Sequence, residues 1–234
     1  MSNKSSLINI IEFNGLPGCG KTTITNKMLE TPLCCDWPME TYESMYRCFG
    51  KNKLSRLLHA IWYFRPIEFC RLLSLAKLVC CHKKKILYKR VIVAELLLIV
   101  YRCRRMDRLY VVDQGPLQGI LSIAHSYNIS DWKKFLSLSQ KILAGYEKHT
   151  VFVNLVSDPK TARERIRYRN FSYGSRMNFI ENDAELETEL QKQHSTLNQL
   201  RSILPVSHTV TVDAKFEAIH NANTILDFYR GLTQ

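Results

Sequence analysis

The residues best suited to chemistry stand near the amino terminus, where residues 15–22 read GLPGCGKT. This run fits the pattern G-x-x-x-x-G-K-[ST], and it lies between a short apolar run and a helical pattern. Glycines allow the backbone to curl until successive N–H groups point at phosphate oxygens, and the new helix adds the positive end of its dipole. The motif therefore predicts a loop that binds the phosphates of a nucleoside triphosphate.

The polar side chains of this phosphate loop have predicted roles. Lys21 is expected to reach the β- and γ-phosphates, and the Thr22 hydroxyl is expected to ligate Mg²⁺. ATP and Mg²⁺ are therefore the predicted cofactors. The residues expected to contact ATP are Gly15, Pro17, Gly18, Cys19, Gly20, Lys21, Thr22 and Thr23.

A second candidate ends a later strand. Residues 108–113 (RLYVVD) read as a strand that ends on an acid, and the turn-forming residues Gln114, Gly115 and Pro116 follow. Because parallel sheets bind ligands at the carboxyl ends of their strands, Asp113 is expected to hold Mg²⁺ through water or to accept a proton from the attacking hydroxyl. The alternative is an ordinary aspartate in a turn.

The third cluster is a run of arginines at residues 162–169 (ARERIRYR). Arg165 and Arg169, at i and i+4, share one helix face, and Arg176 follows in an irregular stretch. Arginines that close over a transferring phosphoryl group stabilise its charge and exclude water, so residues 163–178 are predicted to form a lid. The alternative is a solvated basic helix with local pairing to Glu164. The predicted catalytic residues are Lys21, Asp113, Arg165 and Arg169.

These candidates require a scaffold that brings them together. Short apolar strands alternate with helix-length stretches along the chain, which predicts a parallel sheet covered by helices on both faces. The predicted strands are residues 7–13, 33–37, 108–113, 150–156 and 209–212. The predicted helices are residues 21–30, 53–64, 67–81, 84–105, 117–127, 130–147, 159–169, 183–204 and 216–229. The sequence shows no repeat or linker, so a single domain over residues 1–234 is expected.

The net charge of +12 is concentrated in the middle of the chain. Residues 47–108 hold 16 basic and three acidic side chains, which leaves the rest of the chain close to neutral. A basic face of this kind is suited to nucleic acid, an anionic membrane surface or a polyphosphorylated substrate. The alternative is a set of solvated helices with no anionic partner.

The composition excludes several classes of protein. The chain is 46% hydrophobic and 23% charged, which is typical of a folded protein and not of a disordered one. No apolar run approaches the roughly 20 residues of a membrane span, and residues 1–6 lack the pattern of a signal peptide. The eight cysteines include no C-x-x-C spacing, so reduced thiols and a cytoplasmic location are expected.

Taken together, these motifs resemble the thymidylate kinase-like and deoxynucleoside kinase-like P-loop phosphotransferases. The resemblance depends on the phosphate loop, on the strand that ends at Asp113, and on residues 153–169 (VNLVSDPKTARERIRYR). It implies an α/β P-loop NTPase fold, a three-layer α/β/α sandwich with about five parallel strands. It also implies a helical insertion between strands 2 and 3, with ATP·Mg as the phosphoryl donor.

The resemblance also assigns residues to the two substrates. The backbone near Ala214 and Lys215 would border the adenine, and Arg165 and Arg169 would be lid arginines. The acceptor would dock beneath the basic segment 47–108, which in the resembling kinases helps to form the acceptor site. The acceptor-site candidates are Glu40, at the place of the general base of nucleoside kinases, with Gln114 and Arg176.

Two residues depart from the family pattern. Gln114 replaces an arginine that would hold the acceptor nucleotide, and Asn14 stands where many members have an acid. These departures weaken the case for thymidylate as the acceptor. The general base is left open between Asp113 and Glu40.

The leading hypothesis is an ATP-dependent kinase whose acceptor is a small anionic or nucleoside-type molecule, most simply a nucleoside or nucleotide. One alternative is a nucleic-acid-associated P-loop NTPase or a polynucleotide 5′-hydroxyl kinase that uses the basic segment 47–108. Another is a regulatory protein that binds ATP without turning it over. No membrane span is expected, and the sequence is compatible with a homodimer.

Overall fold

The computed structural model describes residues 8–31, 39–41, 66–80, 109–126, 128–168 and 180–233. Its strands are β1 (Ile10–Asn14), β2 (Met39–Thr41), β3 (Val79–Cys80), β4 (Leu109–Val112), β5 (Asn128–Ile129), β6 (Thr150–Val156) and β7 (Thr209–Asp213). Its α-helices are α1 (Lys21–Glu30), α2 (Pro66–Leu78), α3 (Pro116–Ser126), α4 (Trp132–Leu143), α5 (Pro159–Tyr168), α6 (Asp183–Arg201) and α7 (Ala218–Thr233).

Five of these strands form one parallel sheet in the order β2-β4-β1-β6-β7. Strand β1 lies at the centre, where Ile11 pairs with Val111 of β4 and with Val151 of β6. All of its residues are buried, as expected for a parallel strand that has helices on both faces. The predicted parallel sheet of about five strands is therefore confirmed, with its edge strand at Met39–Thr41, just after the predicted strand 33–37.

Helices cover the two faces of the sheet and enclose two apolar cores. On one face, Ile10, Tyr110 and Phe152 pack with side chains of α3, α4 and α6. On the other face, Phe13 and Val153 pack with side chains of α1 and α7. Alternate residues of the central strands thus point into opposite cores. This arrangement gives the three layers that the sequence predicts.

The structure corrects one predicted helix in the inserted segment. The helix predicted over residues 67–81 ends at Leu78, because Val79 and Cys80 form β3, which pairs antiparallel with β5. The backbone N–H of Ser130 donates to the Leu78 carbonyl at 3.0 Å and so binds a carbonyl that the ending helix leaves open. The predicted helices 53–64 and 84–105, and the predicted strand 33–37, lie outside the described residues.

Several other boundaries also differ from the predictions. The helix predicted over residues 130–147 ends at Leu143, and a 3₁₀ turn at Glu147–His149 leads into β6. The helix predicted to end at residue 204 ends at Arg201. The last helix is shifted, since it begins at Ala218 and runs to Thr233. Of the helices that the structure describes, none is long and apolar enough to cross a membrane.

Candidate active site

The phosphate loop joins the end of β1 to the start of α1. Gly18 and Gly20 have φ angles of 81° and 98°, a left-handed conformation that costs glycine little and other residues more. A Cβ on Gly18 would lie 2.6 Å from the Ala162 carbonyl oxygen of α5. Glycine is therefore favoured in this loop for two reasons: the left-handed backbone conformation and the close approach of α5.

Lys21, the first residue of α1, turns its ammonium group back over the phosphate loop. Its Nζ donates to the carbonyl oxygens of Gly15 at 2.8 Å and Leu16 at 2.9 Å, and it lies 3.7 Å from Cys19 Sγ. Within the part of the chain that the structure describes, no carboxylate pairs with this ammonium group. The described partners of the Lys21 ammonium group are therefore uncharged, and its positive charge is suited to an anionic ligand.

Thr22 and Asp113 meet at the carboxyl edge of the sheet. The Thr22 hydroxyl donates to Asp113 Oδ2 at 3.1 Å, because β1 and β4 are neighbouring parallel strands whose following loops lie side by side. Hydroxyl and carboxylate oxygens are ligands that Mg²⁺ accepts, and Mg²⁺ bound to phosphates needs few protein ligands because it keeps several waters. The two residues fit the predicted Mg²⁺ site, although no group of three or more His, Cys, Asp or Glu in the described ranges could hold a metal ion.

Arg165 links the phosphate loop to the turn after β7. Its Nη1 donates to the Cys19 carbonyl at 3.2 Å, and its Nη2 donates to the Ala214 carbonyl at 2.8 Å. The guanidinium group therefore joins the two segments that the sequence assigns to the phosphates and to the adenine. It lies beside the same loop as Lys21, and its described partners are carbonyl groups.

The neighbouring arginines of α5 have a different environment. Arg163 pairs with Glu187 at 2.7 Å, and Arg167 pairs with Asp183 at 2.7 Å. Both acids belong to α6, so the clustered charges are neutralised by another helix and not by the local pairing to Glu164 that the sequence suggested. Among the described arginines of this helix, Arg165 is thus the one placed to meet a bound anion.

Other predicted residues are placed only in part. Gln114 is exposed beside Asp113, and Glu40 lies in β2, where its backbone pairs with Tyr110. Arg169 and Arg176 lie outside the described residues, as does most of the basic segment 47–108. Their predicted roles stay predictions.

Glu12 is a site residue that the sequence reasoning missed. It is fully buried on the central strand, and its Oε1 accepts hydrogen bonds from the backbone N–H groups of Leu117 at 2.8 Å and Gln118 at 3.2 Å. Burial raises its pKa to about 7, although hydrogen bonds from Tyr146, Gln118 and Leu117 act in the opposite direction. The sequence did contain one indication of this role, an acidic residue inside a strand predicted to be buried. A buried carboxyl group needs hydrogen-bond donors around it.

Arg201 is the second residue that was missed. From the last turn of α6, its Nε donates to Asn14 Oδ1 at 2.8 Å, and its Nη2 donates to the Asn14 and Leu155 carbonyls at 3.2 and 3.3 Å. Burial lowers its pKa to about 10. Arg201 therefore links the ends of β1 and β6 beneath the phosphate loop. Nothing in the sequence near Arg201 indicates this contact.

No protein-family model and no curated protein matches this sequence. Among solved structures, the chain is similar to deoxyadenosine kinase from M. mycoides with bound dATP, with a TM-score of 0.50 and 14% identity over 94% of this chain and 99% of that chain. A gluconokinase from Sinorhizobium meliloti 1021 also matches, with a TM-score of 0.43 and 15% identity over 97% of this chain and 94% of that chain. The first likeness shows the fold alone, which is the predicted three-layer α/β/α sandwich around a parallel sheet.

Proposed function

We propose that the protein is an ATP-dependent kinase that transfers the γ-phosphoryl group of ATP to a nucleoside or nucleotide. The observation that carries this proposal is the convergence of Lys21, Thr22, Asp113 and Arg165 at one edge of the parallel sheet. Phosphoryl transfer needs positive charge around the γ-phosphoryl oxygens and oxygen ligands for Mg²⁺. These four side chains supply both.

The phosphate loop binds the donor phosphates in this mechanism. Lys21 exchanges the carbonyls of Gly15 and Leu16 for phosphate oxygens, which carry full charge and bind an ammonium group more strongly. Thr22 and Asp113 would hold Mg²⁺, which when bound would neutralise charge on the phosphate oxygens. Arg165 stabilises the charge that develops during transfer from the side of α5.

The turn after β7 supports an adenine nucleotide as the donor. Phe216, two residues after Ala214, is 60% exposed, and Val156, whose carbonyl accepts a hydrogen bond from the Ala214 N–H at 2.8 Å, is 37% exposed. The Ala214 carbonyl binds Arg165. An apolar surface next to backbone polar groups suits a purine base. The structural neighbour with bound dATP supports the same class of ligand.

The acceptor side has two candidate general bases. Asp113 is half-buried and its Oδ2 accepts a hydrogen bond from Thr22; as the alternative to holding Mg²⁺, its carboxylate would accept the proton of the attacking hydroxyl. Glu40 is the other candidate, by resemblance alone. The positive charge of segment 47–108 supports an anionic acceptor.

The proposed function can be tested with a transfer screen that uses ATP labelled at its γ-phosphoryl group. The purified protein is incubated with nucleosides, nucleoside monophosphates, sugars and oligonucleotides, with Mg²⁺ and with a chelator. Label is expected in a nucleoside or nucleotide, and only when Mg²⁺ is present. Label in an oligonucleotide 5′ end, or ATP hydrolysis stimulated by nucleic acid, would favour the nucleic-acid alternative, and ATP binding without any product would contradict catalysis.

A comparison of two arginines on α5 tests the role of Arg165. Arg165→Ala is expected to lower kcat/KM for ATP by about 10²-fold, because it removes a charge placed at the developing phosphoryl charge. Arg167→Ala is the matched control, since it breaks a partly exposed pair with Asp183 and a hydrogen bond to the Glu181 carbonyl, and an exposed pair is worth about 0–1 kcal/mol. Steady-state kinetics at varied ATP would measure both, and equal losses in the two variants would contradict the assignment.

A further inference from the structure

We propose that Glu12 is a positioning residue of the phosphotransfer site, which acts through Asp113 and through Gly15. This inference rests on the proposed function, because it gives Glu12 a task in the same site. Within the part of the chain that the structure describes, Glu12 makes no hydrogen bond to Thr22 or Asp113, the predicted Mg²⁺ ligands. Its contacts are with the turn after β4, with the first turn of α3 and with the Tyr146 side chain.

The first line of evidence is the turn that carries Asp113. A Cβ on Gly115 would overlap the carboxyl group of Glu12, so that carboxyl group fills the space beside the Gly115 backbone. Asp113 is two residues earlier in the same short turn. Because Glu12 is held rigidly on the central strand, its carboxyl group limits where this turn can run.

The second line of evidence is the start of α3. A helix leaves its first N–H groups without intrahelical partners, and the first turn of α3 has no acidic residue of its own. The Glu12 carboxyl group supplies the acceptor for the N–H groups of Leu117 and Gln118. Leu117 is fully buried, so its N–H group would lose its partner if Glu12 were apolar.

A third contact connects the first turn of α3 to the phosphate loop. The backbone N–H of Gly15 donates to the Gln118 side-chain oxygen at 3.4 Å. Gln118 is held by Glu12 through its own backbone N–H. One carboxyl group on β1 therefore sets the first turn of α3, and that turn contacts the entry of the loop that binds ATP.

Substitutions of Glu12 can distinguish its role as a hydrogen-bond acceptor from the filling of space by its side chain. Glu12→Gln keeps an oxygen acceptor, and Glu12→Leu keeps much of the volume without one. Glu12→Leu is expected to weaken the apparent Mg²⁺ affinity in the presence of ATP by about 10-fold and to lower kcat, because the turn that carries the predicted ligand Asp113 would lose its support. Glu12→Gln is expected to restore the Mg²⁺ affinity to within about threefold of the wild type.

Two further variants complete the experiment. Ile120→Val removes one methylene group from the buried face of α3. It is expected to leave the Mg²⁺ dependence unchanged. Gln118→Met cuts only the link to Gly15, so it is expected to raise the KM for ATP several-fold without changing the Mg²⁺ dependence. This second variant tests the arrangement even if Glu12→Leu does not fold.

Titration of Mg²⁺ at fixed ATP, with transfer kinetics and circular dichroism on each variant, measures these effects. A folded Glu12→Leu protein with the wild-type Mg²⁺ dependence would overturn the proposal, and so would a wild-type KM for ATP in Gln118→Met. Failure of the wild type to bind Mg·ATP would instead contradict the proposed function.

Discussion

Lys21→Ala is expected to lower the rate of phosphoryl transfer by about 10³-fold while the fold stays intact. The Lys21 ammonium group is the charge that reaches into the phosphate loop, and its described hydrogen-bond partners are the carbonyls of Gly15 and Leu16 and the Cys19 thiol. Loss of the side chain frees those carbonyls to bind water. Ile24 and Met28, which anchor α1 in the core, are unaffected.

Single-turnover transfer from labelled ATP measures this loss, and thermal unfolding checks the fold. Lys27→Ala is the matched control, because Lys27 lies on the same helix and pairs with Glu30 on the surface at 2.7 Å. It is expected to retain wild-type transfer. A Lys21→Ala protein that transfers phosphate at a rate near the wild-type rate would show that the loop does not bind the reacting phosphates.

Glu12→Gln is expected to remove a large pH dependence from the free energy of unfolding. The pKa of Glu12 rises from 4.5 to about 7 in the folded protein, so the native state binds this proton more tightly than the unfolded state does. The stabilisation is fully present below pH 4.5 and is lost as the pH rises through 7. For this one group the loss amounts to about 3 kcal/mol.

Urea unfolding of wild type and Glu12→Gln at pH 5 and pH 8 measures this difference. The variant is expected to gain stability relative to the wild type as the pH rises, because its amide cannot ionise. Glu30→Gln is the control, since Glu30 lies on the surface and its loss is expected to leave the pH profile unchanged. Parallel profiles for wild type and Glu12→Gln would contradict a raised pKa at Glu12.

The features that the sequence predicts well are those that depend on neighbouring residues. The phosphate loop is recognised because its glycines are needed for its own backbone angles, two of which are left-handed. Strand β6 begins and ends where predicted, at Thr150 and Val156, because a compact apolar run is bounded by turns. Asp113 could be placed beside Thr22 because both follow parallel strands.

The features that the sequence does not predict depend on distant partners. Helix α2 ends at Leu78 because β3 pairs with β5, about fifty residues away. Arg163 and Arg167 are neutralised by acids of α6, which the spacing within α5 cannot reveal. Glu12 and Arg201 bind groups far along the chain, so their importance becomes visible only when the helices are placed over the sheet.

The central position of β1 has a consequence for how the protein folds during synthesis. Ile11 pairs with Val111 on one side and Val151 on the other. The strand that precedes the phosphate loop therefore acquires its first neighbour when nearly half of the chain has been made, and its second when about two thirds has been made. Contacts of such high sequence separation slow folding and leave apolar strands exposed on the nascent chain. The phosphate loop is therefore completed late, and under the proposed function ATP would stabilise the completed fold without guiding the early steps that lead to it.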